Sequence, residues 1–395
     1  MRNQFLAGCV FTGLTLTLAN PSPAATDVEL STHGLDIRAA DGKLDINLGG
    51  RLHIDAASFD DDVTPLDPEH DIDFRRARLE LSIKLLDDFR FRLDYDFADL
   101  SRGFKNVWGS WEFADGYEIQ LGNFTAPFSL EDVSSSNNTT FMERSLPNTM
   151  APGFLLGGAV SGHGEDWTAA IGFFREPIDL EEDTKETEGD GVTARVTVVP
   201  WREGNQLIHL GAGIEARDLD SGTNFRVRTR PEAALAGGRL IDTGSLANVD
   251  QYTTINLEAA WRGGPFSLQS QYLHMWVDRS GVTQDPEFAG WYAQASWIVT
   301  GEQRGYSNSS GVFTSVDVDK SDFGAIELAV RYSTLDLEDA TVTGGEENNW
   351  TLGVNWYVTD YLRLMANYVH AEAEPNRTGV DEEVEIGQMR LQLNL

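Results

Sequence analysis

Residues Ile72 to Phe97 read IDFRRARLELSIKLLDDFRFRLDYDF, and apolar and charged side chains alternate through two runs of this stretch. The apolar positions are Ala77, Leu79, Leu81, Ile83 and Leu85 in the first run, and Phe89, Phe91, Leu93, Tyr95 and Phe97 in the second. A period of two is the period of a β-strand, so the stretch predicts two strands of about ten residues each. Both strands put even-numbered residues on the charged face. Their connection around Asp87-Asp88 must therefore hold an odd number of residues, and we expect three.

The same alternation recurs to the end of the chain with no helical stretch between. It predicts sixteen strands, near residues 44–56, 72–85, 89–97, 105–113, 117–124, 155–161, 167–173, 192–199, 207–217, 251–262, 266–277, 288–300, 324–332, 350–358, 362–371 and 384–395. Long and short connections alternate, except that Gly301 to Phe323 falls in the short series and is long. Most short turns are flanked by aromatic residues, which suit a membrane interface. The pattern predicts an all-β, 16-stranded antiparallel transmembrane β-barrel, apolar toward lipid and wide enough for an aqueous pore.

Composition narrows the class of protein. The net charge of −33 excludes the basic footprint of a nucleic-acid-binding protein. The mean hydropathy of −0.31 is compatible with a barrel, because polar lumen residues dilute the apolar ones.

The N-terminus has the features of a secretory signal: Arg2, an apolar run from Phe5 to Leu18, and small residues up to Ala25. We expect a cleaved signal peptide over residues 1–25, a short polar lead-in over 26–41 and one barrel domain over 42–395, located in a bacterial outer membrane. Lipidation of Cys9, the one cysteine, is an alternative processing route. Once residues 1–25 are removed, the mature chain has no cysteine and therefore no disulfide or thiol chemistry.

Strand parity selects the candidate anion-binding residues. It directs five arginines into the lumen, because each would cost roughly 2–4 kcal/mol if it faced lipid near the midplane: Arg51, Arg76, Arg78, Arg90 and Arg92. Arg75 breaks the parity and is expected at the rim. Three further arginines follow one another at a spacing of two in the fifth long connection: Arg226, Arg228 and Arg230. This spacing places them on one edge of an extended segment, either as a basic ladder in the pore or as an exposed loop.

Six acidic residues are candidates to oppose these arginines. Parity puts Glu80, Asp94 and Asp96 in the lumen, whereas Glu131, Asp132 and Glu143 lie on the long connection after the fifth strand, beside Arg144. If that connection folds inward, an acidic loop faces a basic wall and sets up a transverse field. The alternative is that the acids pair with the arginines, and both can hold together.

No motif of catalysis or of cofactor binding is present. The chain has no HExxH, no GxSxG and no P-loop, and the acidic loops Asp60–Asp73 and Glu176–Asp190 do not fit an EF-hand. We therefore expect neither an enzyme nor a cofactor, although a hydrolase site built from distant residues and divalent-cation binding by the acidic loops stay open.

Several stretches resemble the phosphate-selective porins of the O and P type. They are DGKLDINLGGRLHID (Asp41–Asp55), FRRARLEL (Phe74–Leu81), LGNFTAPFSLED (Leu121–Asp132), FMERSLPNTMAPGFLLG (Phe141–Gly157), RPEAALAGGRLIDTG (Arg230–Gly244), GWYAQASWIVTGEQRGY (Gly290–Tyr306), AIELAVRYSTLDL (Ala325–Leu337) and LGVNWYVTDYLRLMANYVHAEAE (Leu352–Glu374). The resemblance implies a trimeric outer-membrane channel with an inward loop after strand five. It also implies that Arg51, Arg75, Arg76, Arg78, Arg226, Arg228 and Arg230 draw anions to a constriction.

Two features depart from that family. The last residue is Leu395 where an aromatic residue is usual, and the third-loop segment is short of lysines. Three hypotheses follow. The first is a porin for passive diffusion of small anions, with phosphate the leading candidate. The second is a weakly selective or cation-preferring porin, and the third is a barrel adhesin or enzyme with a plugged lumen.

Overall fold

The computed structural model describes residues 27–31, 34–39, 42–67, 70–99, 103–178, 189–221, 223–282, 284–318, 323–339 and 341–395. The expected signal peptide lies outside these residues. The described residues form twenty strands: β1 Asp27–Ser31, β2 Gly34–Ala39, β3 Leu44–Asp61, β4 Ile72–Leu85, β5 Phe89–Asp96, β6 Phe104–Ala114, β7 Tyr117–Thr125, β8 Phe154–His163, β9 Trp167–Arg175, β10 Gly189–Glu203, β11 Gln206–Leu219, β12 Val249–Gly263, β13 Phe266–Arg279, β14 Glu287–Ile298, β15 Arg304–Ser307, β16 Val312–Val316, β17 Ala325–Asp339, β18 Val342–Tyr357, β19 Leu362–Ala373 and β20 Glu382–Asn394.

The hairpin of β4 and β5 has the predicted register. Leu85 pairs with Phe89 across a turn of residues 86–88, and Glu80 lies opposite Asp94. The three-residue turn is therefore confirmed. Leu86 and Asp87 both have positive φ there, a backbone conformation that non-glycine residues adopt mainly in tight turns.

The barrel closes between its first and last strands. Sixteen strands, β3 to β14 and β17 to β20, form one antiparallel ring in which each pairs with the next. β20 pairs with the upper half of β3, from Asp61 opposite Val384 to Arg51 opposite Asn394. Leu395 completes the seam by exchanging backbone hydrogen bonds with Gly50 at 2.7 and 2.8 Å. The predicted 16-stranded barrel is confirmed.

The lead-in is more ordered than the sequence analysis anticipated. β1 pairs with β2, and β2 pairs with the lower half of β3, Leu35 opposite Leu48. This hairpin occupies the edge of β3 that β20 leaves uncovered. The lead-in therefore continues the sheet below the seam, at the end of the barrel with the short turns.

The long exception among the short turns is a second inserted element. Residues between β14 and β17 form the hairpin β15–β16, which pairs only within itself. Its contacts are with inward-facing side chains: Arg195 donates to the carbonyls of Ser310 and Gly311 at 2.8 Å, and His209 Nδ1 lies 2.8 Å from the Tyr306 hydroxyl. The hairpin therefore folds into the lumen from the short-turn end.

The outer surface is apolar and carries a girdle of aromatic side chains at the short-turn end. Phe89 stacks on Trp111, and contacts continue through Phe113 and Tyr117 to Trp167, with centroid separations of 6.1 to 6.4 Å. Among the described residues, no helix is long and apolar enough to cross a membrane.

The inner surface is not polar throughout. At the long-loop end of β12 to β20 the inward residues are apolar, for example Leu273, Met275 and Val277. They pack against residues of the third and fifth long loops, among them Phe128 and Phe225, in one buried cluster. Burial of this apolar surface favours the folding of both loops into the barrel.

Candidate functional site

The third long loop, residues 126–153, lies inside the barrel. It carries a short helix α1, Leu130–Val133, capped by Ser129, and a 3-10 helix over Leu146–Met150. It approaches the wall closely at Gly213, where an added Cβ would lie 2.0 Å from the Phe128 carbonyl oxygen. The Leu146 amide donates to the Ser333 hydroxyl of β17 at 3.0 Å. Residues of this loop therefore contact inward-facing positions of the barrel strands.

Arginines of the barrel strands and of the hairpin β15–β16 hold the backbone of this loop. Four of them donate to its carbonyl oxygens: Arg304 to Asn138 (2.7 Å), Arg331 to Glu143 (3.1 Å), Arg363 to Thr139 and Thr140 (2.8 and 3.1 Å), and Arg390 to Met142 (2.5 Å). All four side chains are almost fully buried. They face inward, yet they fasten the loop rather than line open space.

Two of the acidic residues predicted from sequence stabilise the turns of the loop itself. Glu131 accepts from the Ser145 amide and hydroxyl, and Asp132 accepts from the Gly153 amide. Burial raises the pKa of both carboxyl groups, although nearby arginines oppose the shift. Both side chains are buried and neither lines the cavity described below. The turns of the loop use the carboxylate oxygens of both residues.

Glu143, the third acidic candidate of this loop, differs from Glu131 and Asp132 in its partners. Its carboxylate accepts from Arg75 at 2.8 and 2.9 Å and from Arg390 at 2.7 Å. Burial alone would raise the pKa of Glu143, but the Arg75 and Arg390 guanidiniums outweigh it and hold the pKa well below its usual range. Glu143 is therefore a charged group that links the loop to the wall.

Arg75, which breaks the strand parity, is accommodated by a bulge. The register between β3 and β4 shifts after His53, which pairs with Arg76, whereas Ile54 pairs with Phe74. Arg75 is the extra residue of this bulge, and a bulge re-aims the side chain it inserts. Both Arg75 and Arg76 consequently point into the lumen and line the same cavity.

The remaining wall arginines form an ion-pair network with the wall acids. Glu80 accepts from Arg51 at 2.5 Å and from Arg92 at 2.6 Å. The other pairs are Arg92 with Asp94 (2.9 Å), Arg78 with Asp96 (2.7 Å), and Arg90 with Glu112 and Glu118 (2.5 and 2.9 Å). Asp94 and Asp96 are buried behind their arginines. Of the two readings of the acids, direct pairing is the one seen at these positions.

The fifth long loop, residues 220–248, presents its arginines along one edge as the spacing predicts. Phe225 and Val227 are buried in the apolar cluster, and the arginines alternate with them. Arg226 forms a two-point ion pair with Asp242, whereas Arg228 and Arg230 line the cavity.

A fourth arginine of this loop, Arg239, was missed by the sequence analysis. Burial and then the charges of Arg228 and Arg230 lower the pKa of Arg239, which marks a locally positive potential. Arg239 follows no periodic pattern that would have selected it.

These elements enclose a cavity of about 680 Å³ between the two loops and the start of β4. Six arginines line it: Arg75, Arg76, Arg144, Arg228, Arg230 and Arg239. The acids in its lining are Asp73, Asp99, Glu143 and Glu232, and its neutral polar groups include Ser136, Asn148 and Thr149. Arg51, Arg78, Arg90 and Arg92 are not in this lining. Of the nine arginines that the sequence analysis selected, only four line the cavity.

Glu232 positions the arginine-bearing edge of the fifth loop. It accepts from Arg331 at 2.5 and 3.2 Å and from the Thr351 hydroxyl at 2.6 Å. Its φ of 52° is positive, a strained conformation that persists only where surrounding contacts hold it. The loop is therefore fastened to the wall one residue beyond Pro231, directly after its arginines.

The acidic loops were open candidates for divalent cations. Among the residues described, no group of three or more His, Cys, Asp or Glu side chains is arranged to hold a metal ion. Residues 179–188 of the second acidic loop lie outside the described part of the chain.

Comparison with known proteins places this architecture in a family. The model of the family described as phosphate-selective porin O and P matches residues 46–395. The chain belongs to this porin family. Its members reside in the bacterial outer membrane, and so does this porin.

Two relatives match nearly the whole chain. Porin O of Pseudomonas aeruginosa is 28% identical over 424 residues, which cover 95% of this chain and 96% of the relative. An uncharacterized protein of Caulobacter vibrioides is 28% identical over 404 residues, which cover 96% of this chain and 80% of the relative.

Solved porins share the fold at low sequence identity. OmpT of Vibrio cholerae, in its trimer form, superposes with a TM-score of 0.56 at 11% identity, covering 89% of this porin and 99% of OmpT. An anion-selective porin from Comamonas acidovorans gives a TM-score of 0.53 at 12% identity, covering 89% of this porin and 100% of that chain.

Proposed function

We propose that this porin conducts small anions passively across the outer membrane, with phosphate as the preferred solute. The observation that carries the proposal is the cavity lined by six arginines from β4, the third loop and the fifth loop. A guanidinium keeps its charge at every physiological pH and matches two oxygens of an oxyanion at once. A cluster of six in a partly enclosed space favours anions over cations.

The name of the family and the relative Porin O support phosphate as the solute. The third loop has few lysines, but arginines of other elements surround its backbone and supply positive charge there. The scarcity of lysine therefore does not weaken the proposal. Assembly as a homotrimer is part of the proposal, supported by the trimer form of the similar barrel OmpT. We further propose a cleaved signal peptide over residues 1–25 and no enzymatic activity.

A cation-preferring pore is the second candidate. It is favoured by the wall network, in which Glu80, Asp94 and Asp96 neutralise arginines, and by the net charge of −33. Fixed charge at the narrowest part has more influence than total charge, because distant exposed charges are screened beyond about 10 Å at 0.1 M salt. The arginine-lined cavity therefore decides between the two candidates in favour of anions.

Inhibition of chloride current by phosphate tests the proposal. Purified trimers in planar bilayers bathed in KCl should lose current in a saturable way as phosphate is added, since phosphate occupies the cavity longer than chloride does. An equal concentration of nitrate, a singly charged oxyanion, is the control and should inhibit far less. Current that phosphate leaves unchanged would contradict a phosphate-binding pore.

A further inference from the structure

The cavity contains a carboxylate in the position where an anion would bind. Glu143 lies at the inner edge of the third loop and lines the cavity. Every hydrogen bond shown for its carboxylate comes from a guanidinium: Arg75 Nε at 2.8 Å, Arg75 Nη2 at 2.9 Å and Arg390 Nη2 at 2.7 Å. Two oxygens held by arginine nitrogens reproduce the geometry of a bound oxyanion.

The surroundings of Glu143 hold more positive charge than it neutralises. Arg390 is already paired with Asp55 through two bonds of 2.6 and 2.7 Å. Arg76 also lines the cavity, is 6% exposed, and has a buried Nε atom without a hydrogen-bond partner. Arg76 Nη1 has only a long contact with His53 Nδ1, at 3.4 Å. A second anion near Glu143 would therefore meet the positive charge of Arg76 beside Arg75, and among the described residues no carboxylate is shown to be hydrogen-bonded to Arg76.

Holding the loop does not require the carboxylate of Glu143. The backbone of the loop is fastened independently by Arg304, Arg331 and Arg363, and the Glu143 carbonyl itself accepts from Arg331. The side chain instead turns toward the cavity, where its contact with Arg75 crosses from the loop to the wall. This arrangement keeps Arg75 occupied while no solute is present.

We propose that Glu143 is a tethered competitor of the permeating anion. It occupies Arg75 until an oxyanion with two or more negatively charged oxygens exchanges with it, and it returns when the anion moves on. A pore must bind its solute well enough to admit it and weakly enough to release it. Glu143 supplies the second condition, and it favours oxyanions over chloride because chloride cannot replace two oxygens at once.

The inference rests on the proposed anion conduction and is tested with the trimer in bilayers. The variant is Glu143→Gln, and the measured quantity is the phosphate concentration that halves the chloride current. The matched control is Glu118→Gln, which removes one lumen carboxylate from its pair with Arg90 near the short-turn end. The neutral Gln side chain competes less well with phosphate for Arg75. The half-inhibiting concentration is therefore expected to fall about tenfold or more in Glu143→Gln and to change less than twofold in the control.

The results separate the competitor from a merely structural role. If Glu143 only fastened the loop, Glu143→Gln would raise the conductance in KCl alone and leave the half-inhibiting concentration unchanged, and the inference would be overturned. If Glu143→Gln does not assemble, Glu143→Asp takes its place. This variant keeps the charge on a shorter chain that reaches Arg75 less well, so the half-inhibiting concentration should fall below both the native and the control values, and an unchanged value would again overturn the inference. Failure of anion conduction itself would show differently, as cation preference in the native trimer.

Discussion

At the scale of single residues, direction and role are separate properties of an inward arginine. Arg331, Arg363 and Arg390 obey the parity of their strands and face inward, yet they are buried against the third loop. Arg75 violates the parity and lines the cavity. Alternation in the sequence reports which solvent a position faces. The partner of each side chain is set by contacts such as Arg390 with Asp55, which are 335 residues apart in the chain.

Arg390→Met tests the fastening role. The change leaves the Asp55 carboxylate buried without its two guanidinium bonds, and breaking one partner of a buried pair typically costs about 3–5 kcal/mol. The temperature at which the folded barrel converts to the unfolded form on an electrophoretic gel should fall clearly. Arg202→Met, which removes an exposed pair with Asp166, is the control and should change it little, because exposed pairs contribute about 0–1 kcal/mol. Equal stability of both variants would contradict the account of the buried clamp.

At the scale of elements, the sixteen strands could be predicted and the inserted segments could not. Each strand carries its own period of two, which is a local signal. The hairpin β15–β16 enters the lumen because Arg195, His209 and Arg262 contact it from β10, β11 and β12, and no local pattern contains that information. One signal was available for the loops: the inward-facing residues Leu273, Met275 and Val277 are apolar, so other residues had to cover them.

Removal of the hairpin β15–β16 tests its place in the lumen. Replacement of residues 304–316 by a short Gly-Ser connection should raise the single-channel conductance, since the segment occupies the lumen at the short-turn end. Anion preference should persist, because the arginines of the cavity belong to β4 and to the third and fifth loops. An unchanged conductance would mean that the ions do not pass this segment.

Gly213→Ala tests the contact between the third loop and the wall. The added Cβ would lie 2.0 Å from the Phe128 carbonyl oxygen, so the start of the loop must move. The phosphate concentration that halves the chloride current is expected to shift, because Glu143 lies on the same loop. Gly387→Ala, whose nearest neighbour is Ser58 Oγ at 3.3 Å, serves as the control. A Gly213→Ala channel identical to the native one would show that the loop position does not affect the cavity.

At the scale of the whole molecule, the barrel is a wide frame that its own loops narrow. The apolar cluster seats the third and fifth loops on the inside of β12 to β20. The cavity then remains between those loops and the start of β4, where Arg75 and Arg76 meet Arg228 and Arg230. The sequence predicted the ring of strands and the arginines of both elements. It could not predict their meeting, which depends on the buried packing of two loops.

The reversal potential of the purified porin under a KCl gradient tests anion selectivity most directly. The native channel should give a potential of the sign that shows chloride to be more permeant than potassium. The double variant Arg76→Glu with Arg228→Glu should weaken or invert it, because both guanidiniums line the cavity. A native channel that prefers potassium, or a double variant with the native potential, would contradict the arginine-lined cavity as the origin of selectivity.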